Sequence, residues 1–336
     1  MKAVLSSALA AAIFAGSMTS CTQVKKITSP ADVKIGFLVK QPEEQWFQNE
    51  WTFAQQCADK YGFKLQKIGV PDGEKLLSAI DNLHAQGAQG FVVCVPDVKL
   101  GPAVVKKAAE YSMKVFTVDD QFVGPDGSLM TDVPYMGLSA RNIGKQVGGE
   151  LWAEMLKRGW KPEEVAACVP TYDVLNTVKQ RTDGATDTLT ALGFKKENIF
   201  TSAEKALDVP SGMDAANVIL TQHAKIEKWI VYSVNDESVI GAIRAMEGRG
   251  FAAENVIGIG IGAGQGFNEF KKDKPTGYFA CCMISPKRHG FETAELTFKW
   301  VLNGAMPPLD TRTAGVMANR ENFKQVAKDL GLESLL

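Results

Sequence analysis

From residue 33 to the C-terminus, short runs of apolar and often β-branched residues alternate with stretches in which apolar residues recur every three or four positions. That alternation is the pattern of parallel βαβ units, whose strands are buried on both faces beneath crossover helices. The first strand falls within residues 33–39, a second at 63–69, a third at 90–95 and a fourth at 114–118. Between them Leu76, Leu77, Ile80 and Leu83 mark one helical face, and Pro102 opens a helix that runs to Tyr111. After the turn at 124–127, an apolar stretch at 135–138 leads into a helix over 140–158, and there the pattern restarts. Strands are expected at 165–169, 229–234, 255–261 and 277–284, and helices over 177–192, 210–222, 286–302 and 320–330. One final extended segment is expected over 312–317. A chain of 336 residues exceeds one ordinary core. The repeated order therefore predicts an α/β fold of two similar, doubly wound parallel-sheet lobes.

The N-terminus is of another kind. Lys2 is followed by a mainly apolar run to Gly16 and small polar residues to Ser20, which reads as a secretory signal too short to span a bilayer. Met18-Thr19-Ser20-Cys21 carries two readings: a lipobox whose Cys21 becomes a lipidated first residue, or a leader with one unpaired cysteine. Residues 21–32 read as a tether, and export predicts a periplasmic location. A formal net charge of -1 offers no basic footprint, so no nucleic-acid partner is expected. Cys57 lies on a helix, Cys94 and Cys168 in strands, and Cys281 and Cys282 side by side on a strand, where neighbours point to opposite faces. Five buried free thiols are expected. There is no CxxC, and His84, His223 and His289 lack metal-ligand spacing, so no metal is expected.

Chemistry gathers at the strand tips. The stretch VKIGFLVKQPEEQWF, residues 33–47, ends a strand with Lys40, Glu43, Glu44, Trp46 and Phe47. In an open α/β sheet ligands bind beyond the carboxyl ends of the strands, so this set reads as a grip for a polar ligand. The same residues also suit a solvated turn and a helix start, with the carboxylates on the dipole and Trp46 in the core. Asp119 and Asp120 end the fourth strand beside Phe122, Asn235 and Asp236 follow the strand at 229–234, and Arg181 lies on a helix after a strand. Taken singly, Arg181 is a surface helix residue and Asp120 a turn former. Together, Lys40, Glu44, Asp119, Asp120, Arg181 and Asn235 suit a polyol, whose hydroxyls both donate and accept. Trp46 and Phe47 would cover a sugar's C–H face.

Two carboxylates also suit glycosidic chemistry, but the chain holds no GxSxG, Walker or HExxH sequence. Residues 258–263 fit GxGxxA after a strand, yet no Asp or Glu lies between Lys274 and Phe291 to hold a ribose, so no dinucleotide cofactor is expected. A repressor on a similar core would need a helix-turn-helix where this chain has an export signal.

The segments KIGFLVKQPEEQWFQNEW, VPDGEKLLSAIDNL, VDDQFV, KRGW, NTVKQRTDG, DAAN, VND, RAMEGRGF and VIGIGIG resemble the periplasmic sugar-binding family, in particular its L-arabinose-binding members. This is the pentose/hexose group of solute-binding proteins that serve ABC importers. The resemblance runs from about residue 33 to the C-terminus. It implies three crossovers between lobes near Leu138, Ile284 and Thr313, hence an N-terminal lobe of residues 33–138 plus 285–313 and a C-terminal lobe of 139–284 plus 314–336. It implies a sugar held by Lys40, Glu44, Trp46, Phe47, Asp119, Asp120, Thr177, Arg181 and Asn235, with lobes that close on it. Four further positions of the family's pocket fall on Leu138, Val234, Gly262 and Gln265. There this chain departs: Gly262 stands for an asparagine, Gln265 for an aspartate, Leu138 and Val234 for methionines, and Ile284 for a proline at the pocket's hinge edge. Losing one amide would leave a hydroxyl unsatisfied, at roughly 1–3 kcal/mol, unless water or Gln265 replaces it. The resemblance implies a monomeric, non-enzymatic subunit that captures a monosaccharide and delivers it to a membrane permease. Service to a chemoreceptor or sensor, and a carboxylate-dependent glycoside-processing enzyme, are the alternatives.

Overall fold

The computed structural model describes residues 27–262 and 264–336. The secretory signal, Cys21, most of the tether, and Ala263 at the end of the glycine motif lie outside the described residues.

The first half of the chain alternates strand and helix as β1 (Lys34–Val39), α1 (Gln45–Tyr61), β2 (Lys64–Gly69), α2 (Gly73–Ala85), β3 (Gly90–Val93), α3 (Gly101–Glu110), β4 (Lys114–Val118) and β5 (Tyr135–Leu138). The second half repeats the alternation with α4 (Ala140–Lys157), β6 (Val165–Thr171), α5 (Asn176–Leu192), β7 (Ile199–Ala203), α6 (Val209–Gln222), β8 (Lys228–Tyr232), α7 (Asp236–Gly248), β9 (Val256–Gly262), α8 (Gln265–Phe270) and β10 (Tyr278–Met283). A π-turn at Arg288–Glu292 then runs into α9 (Thr293–Asn303), followed by β11 (Thr311–Thr313), β12 (Val316–Asn319) and α10 (Phe323–Asp329).

Two six-stranded sheets result, in the orders β11-β5-β4-β3-β1-β2 and β12-β10-β9-β8-β6-β7. Reading β6 as β1 makes the two orders identical, so the duplication seen in the sequence is a duplication of topology. Pairing is parallel within both sheets except where β12 runs antiparallel to β10. In each sheet the order reverses between the first strand and its third, and that switch point opens a crevice beyond the strands' carboxyl ends.

Burial explains why the strands read as continuous apolar runs. Ile35, Phe37 and Val39 of β1 pack with Ala54, Cys57 and Ala58 of α1 and with Ala294 and Phe298 of α9. Leu38 packs on the other face with Leu76, Ile80 and Leu83 of α2 and Val104 of α3. The second sheet is covered on one face by α4 and α5, through Ile143, Val147, Leu151 and Leu189. Its other face meets α6 and α7 through Ile219, Leu220, Val239 and Ile243. All five cysteines from Cys57 to Cys282 are buried free thiols, as expected.

Two expectations differ from the structure. The single extended segment over residues 312–317 is two strands in two sheets, β11 beside β5 and β12 beside β10, so the chain changes lobe between Thr313 and Val316. The helix over 286–302 begins with a π-turn instead of a regular first turn, because the Thr293 hydroxyl donates to the His289 carbonyl and competes for the ladder. The edge strand β7 carries no expectation at all: it is half-buried to exposed and pairs with β6 alone, so its apolar signal is weak.

Candidate functional site

The crevices of the two sheets face one another across a cavity of about 410 Å³. Lys40 and Glu44 follow β1, Asp119 and Asp120 follow β4, Asn235 follows β8 and Gly262 ends β9, so both lobes supply the wall. Of the residues expected at the site, Lys40, Glu44, Trp46, Phe47, Asp119, Asp120, Leu138, Thr177, Arg181, Asn235, Gly262 and Gln265 line the cavity. Val234 does not: its side chain is fully buried behind the wall, and its carbonyl oxygen accepts from Arg181 Nη1 at 2.6 Å.

The paired aspartates are set by their own turn. Asp119 has φ +62°, a left-handed conformation that Asp tolerates better than most residues and that costs of order 1–3 kcal/mol. The turn is fixed by Tyr135 Oη donating to the Asp119 carbonyl at 2.8 Å and by Thr117 Oγ1 donating to the Asp120 carbonyl at 2.8 Å. This aims the two carboxylates differently. Asp120 receives Lys40 Nζ at 2.5 Å and, from the other lobe, Thr177 Oγ1 at 2.9 Å. Asp119 receives Trp46 Nε1 at 3.2 Å and pairs with His289 Nδ1 at 2.6 Å. Each carboxylate oxygen has two lone pairs, so both groups can still accept from a ligand.

On the opposite wall Arg181 is half-buried, and desolvation of its guanidinium pushes its pKa down. Its buried Nε has no hydrogen-bond partner among the described residues, and the guanidinium lines the cavity as a charged donor group. Asn235 caps α7, its Oδ1 accepting from Ser238 N at 2.9 Å and its Nδ2 donating to the Leu207 carbonyl at 3.1 Å. One amide hydrogen and one acceptor site on Asn235 remain. Glu44 stands at the N-terminus of α1, and burial pushes its pKa up. Trp46 and Phe47 occupy the first turn of that helix, with Trp46 edge-on to His289 at 5.3 Å between ring centres.

Besides Glu43 of the opening stretch, three lining carboxylates were not on the expected list, Asp208, Asp236 and Glu237. Asp236 is buried, accepting from Tyr278 Oη at 2.5 Å, Cys281 Sγ at 3.2 Å and Gly266 N at 3.3 Å. Its position next to Asn235 at a strand tip was the available signal. Burial, Asp236 and the facing charge of Glu44 bring the Glu237 pKa up to about 7. Gly262 is where Asp236 gains its room: a Cβ there would stand 2.5 Å from Asp236 Oδ2. The site therefore offers donors from Lys40, Arg181 and Asn235 and a surplus of acceptors. That arrangement suits a neutral ligand rich in hydroxyls.

The model for periplasmic binding proteins and the sugar-binding domain of the LacI family matches residues 32–325. The chain is 49% identical over 303 residues to the ABC transporter L-arabinose-binding periplasmic protein of Azospirillum brasilense, covering 90% of this chain and 91% of the relative. It is 45% identical over 302 residues to the L-arabinose-binding periplasmic protein of Escherichia coli K12, covering 90% and 92%. Among solved structures, a periplasmic solute-binding protein from Actinobacillus succinogenes with bound D-allose superposes with a TM-score of 0.74 at 19% identity, over 87% of this chain and 99% of that one. An arabinose-binding protein from Geobacillus stearothermophilus gives 0.67 at 16% identity, over 88% and 99%. At these identities the structural matches speak to the fold.

Proposed function

Because the chain belongs to the family of periplasmic binding proteins and LacI-type sugar-binding domains, we propose that it is the substrate-binding subunit of an ABC importer for a monosaccharide. The observation that carries this reading is the cavity between the two sheets, whose hydrogen-bonding groups come from both lobes and meet directly at Asp120 and Thr177. A ligand there touches both lobes only when they are closed, so binding favours the closed form, and the closed form is what a permease would receive. Lobes of residues 33–138 plus 285–313 and 139–284 plus 314–336, acting as one monomer exported to the periplasm, complete the reading. The protein performs no chemistry on its ligand.

The names of the two curated relatives favour L-arabinose. Gly262 and Gln265, with the buried Asp236 lining the cavity beside Gly262, favour a sugar that presents a donor at this end. Calorimetry against pentoses, hexoses and 6-deoxy sugars tests the proposal: one monosaccharide binds tightly with 1:1 stoichiometry, and failure of every sugar refutes it. Mass spectrometry of the mature N-terminus checks export, and a diacylglyceryl mass on Cys21 would add a lipid anchor.

A further inference from the structure

Behind the cavity wall lies a buried carboxyl group that sugar recognition as described does not use. Glu50, on the inner face of α1, is 0% exposed, and neither of its oxygens has a hydrogen-bond partner among the described residues. An oxygen of Glu50, an oxygen of Asp119 and a ring nitrogen of His289 lie within 4.8 Å of one another. These donor types also occur around metal ions. However, His289 Nδ1 and Asp119 Oδ1 are 2.6 Å apart, a hydrogen-bond separation. Two ligands about 2.0–2.1 Å from a tetrahedral zinc would stand roughly 3.3 Å apart. A proton fits that gap and a cation does not.

The charges around Asp119 close on the same conclusion. The groups facing it are Lys40 at the end of β1, Glu44 and Trp46 at the start of α1, Asp120 beside it, Arg181 from the other lobe and Tyr135 from β5. Cys94 faces Glu50 from β3. Lys40 and Arg181 face Asp119 and Asp120, and His289 Nδ1 stands 3.8 Å from Glu50 Oε1 but 2.6 Å from Asp119 Oδ1, so a charged Glu50 would be a third carboxylate in the cluster whose nearest cationic group is already taken by Asp119.

We propose that Glu50 is a carboxylic acid in the working protein and a positioning residue of the sugar site, donating its proton to Asp119 from behind. His289 and Trp46 hold the same carboxylate from two other sides, and His289 Nε2 continues to Thr313 Oγ1 at 2.8 Å, on the strand where the chain leaves the first sheet. The acceptor offered to the ligand is thereby tied to the lobe junction. Burial and the charge of Asp119 push the Glu50 pKa well up, and for Asp119 the His289 and Trp46 hydrogen bonds outweigh burial and hold it below the ordinary carboxylate range. The role in binding rests on the monosaccharide reading above; the protonation of Glu50 does not.

Two measurements separate them. Infrared difference spectra of the sugar-free protein at pH 8, wild type minus Glu50→Gln, should show the carbonyl band of a protonated carboxylic acid; its absence overturns the proposal. Calorimetric titration with L-arabinose and D-galactose between pH 6 and 9 then reads the role. Glu50→Gln, which keeps a donor, should bind within a few-fold of wild type, whereas Glu50→Met, which keeps the volume without a donor, should lose roughly 10- to 100-fold. Because Glu50 stays protonated, wild type and Glu50→Gln should show the same pH slope between pH 6 and 8, with the contributions of Glu44 and Glu237 common to both; a steeper wild-type slope overturns the protonation of Glu50. Glu50→Met, or Glu50→Leu should the first not fold, binding as tightly as wild type overturns the positioning role. A wild type that binds neither sugar while showing the infrared band would refute the role of Glu50 in binding and leave its protonation standing.

Discussion

At the scale of single residues, the partners of each side chain decide which substitutions are informative. Asp120→Ala would leave Lys40 buried without its carboxylate, at about 3–5 kcal/mol, so sugar affinity and the thermal stability of the empty protein should fall together. Arg181→Met is cleaner. Among the described residues the guanidinium has one hydrogen-bond acceptor, the Val234 carbonyl, and an unpartnered Nε, but it also faces Asp119 and Asp120, so an apolar chain of similar length should lower thermal stability by less than Asp120→Ala does. Calorimetry on that variant should show affinity reduced roughly 10- to 100-fold, and an unchanged affinity would remove Arg181 from the site. Gly262→Ala tests the other wall: its methyl group must displace Asp236, so affinity should drop while the same change at Gly149, where the Cβ position is open, has no effect. Much of this site was legible because chemistry concentrates at strand tips, where Lys40, Glu44, Asp119, Asp120 and Asn235 all sit. Asp236 and Glu50 were not legible as site groups. A carboxylate in an apolar helix or beside a capping Asn has the same sequence signature whether it faces water or a cavity, and only the packing of α1 against the π-turn, or of β9 against α7, tells them apart.

Elements carry the site through their crossings. Gly144 of α4 lies against the Arg181 carbonyl and Gly184 of α5 against the Arg141 carbonyl, so the two helices touch backbone to backbone one turn from Arg181. A methyl group at Gly184 must push the helices apart, an overpacking that costs about 1–3 kcal/mol. Gly184→Ala should therefore lower the thermal midpoint and weaken sugar binding together. Gly149→Ala, in the same helix pair with open space around its Cβ position, should be neutral or gain about 0.5–1 kcal/mol from helix propensity. Most helices were readable from their 3.6-residue periodicity, and the buried strands from their apolar runs, whereas α7, buried on most of its faces, and the six-residue α8 carried no expectation. What escaped was set by neighbours: β7 is a half-exposed edge, and β11 and β12 are three and four residues long, so their membership of different sheets depends on which partner strand each meets.

For the molecule as a whole, the hydrogen bond from Thr177 to Asp120 joins the lobes on the cavity side, while Trp46 packs against the cores of both. A bond to a carboxylate is worth about 1.5–3 kcal/mol in a water-excluded site, enough to bias an open-closed equilibrium by a factor of ten or more. Thr177→Val keeps the shape and removes the donor, so the sugar-free protein should open, and small-angle scattering should record a larger radius of gyration than for wild type. Saturating sugar should bring the two proteins to the same radius, because Lys40 and Asp120 on one lobe and Arg181 and Asn235 on the other still bridge through the ligand. The affinity of Thr177→Val should fall by the same factor as the closed population, since the sugar must now supply the closure that the bond supplied before. An unchanged radius without sugar would mean that Trp46 and the three chain crossings hold the lobes together, and that the ligand enters a cleft already fixed in place.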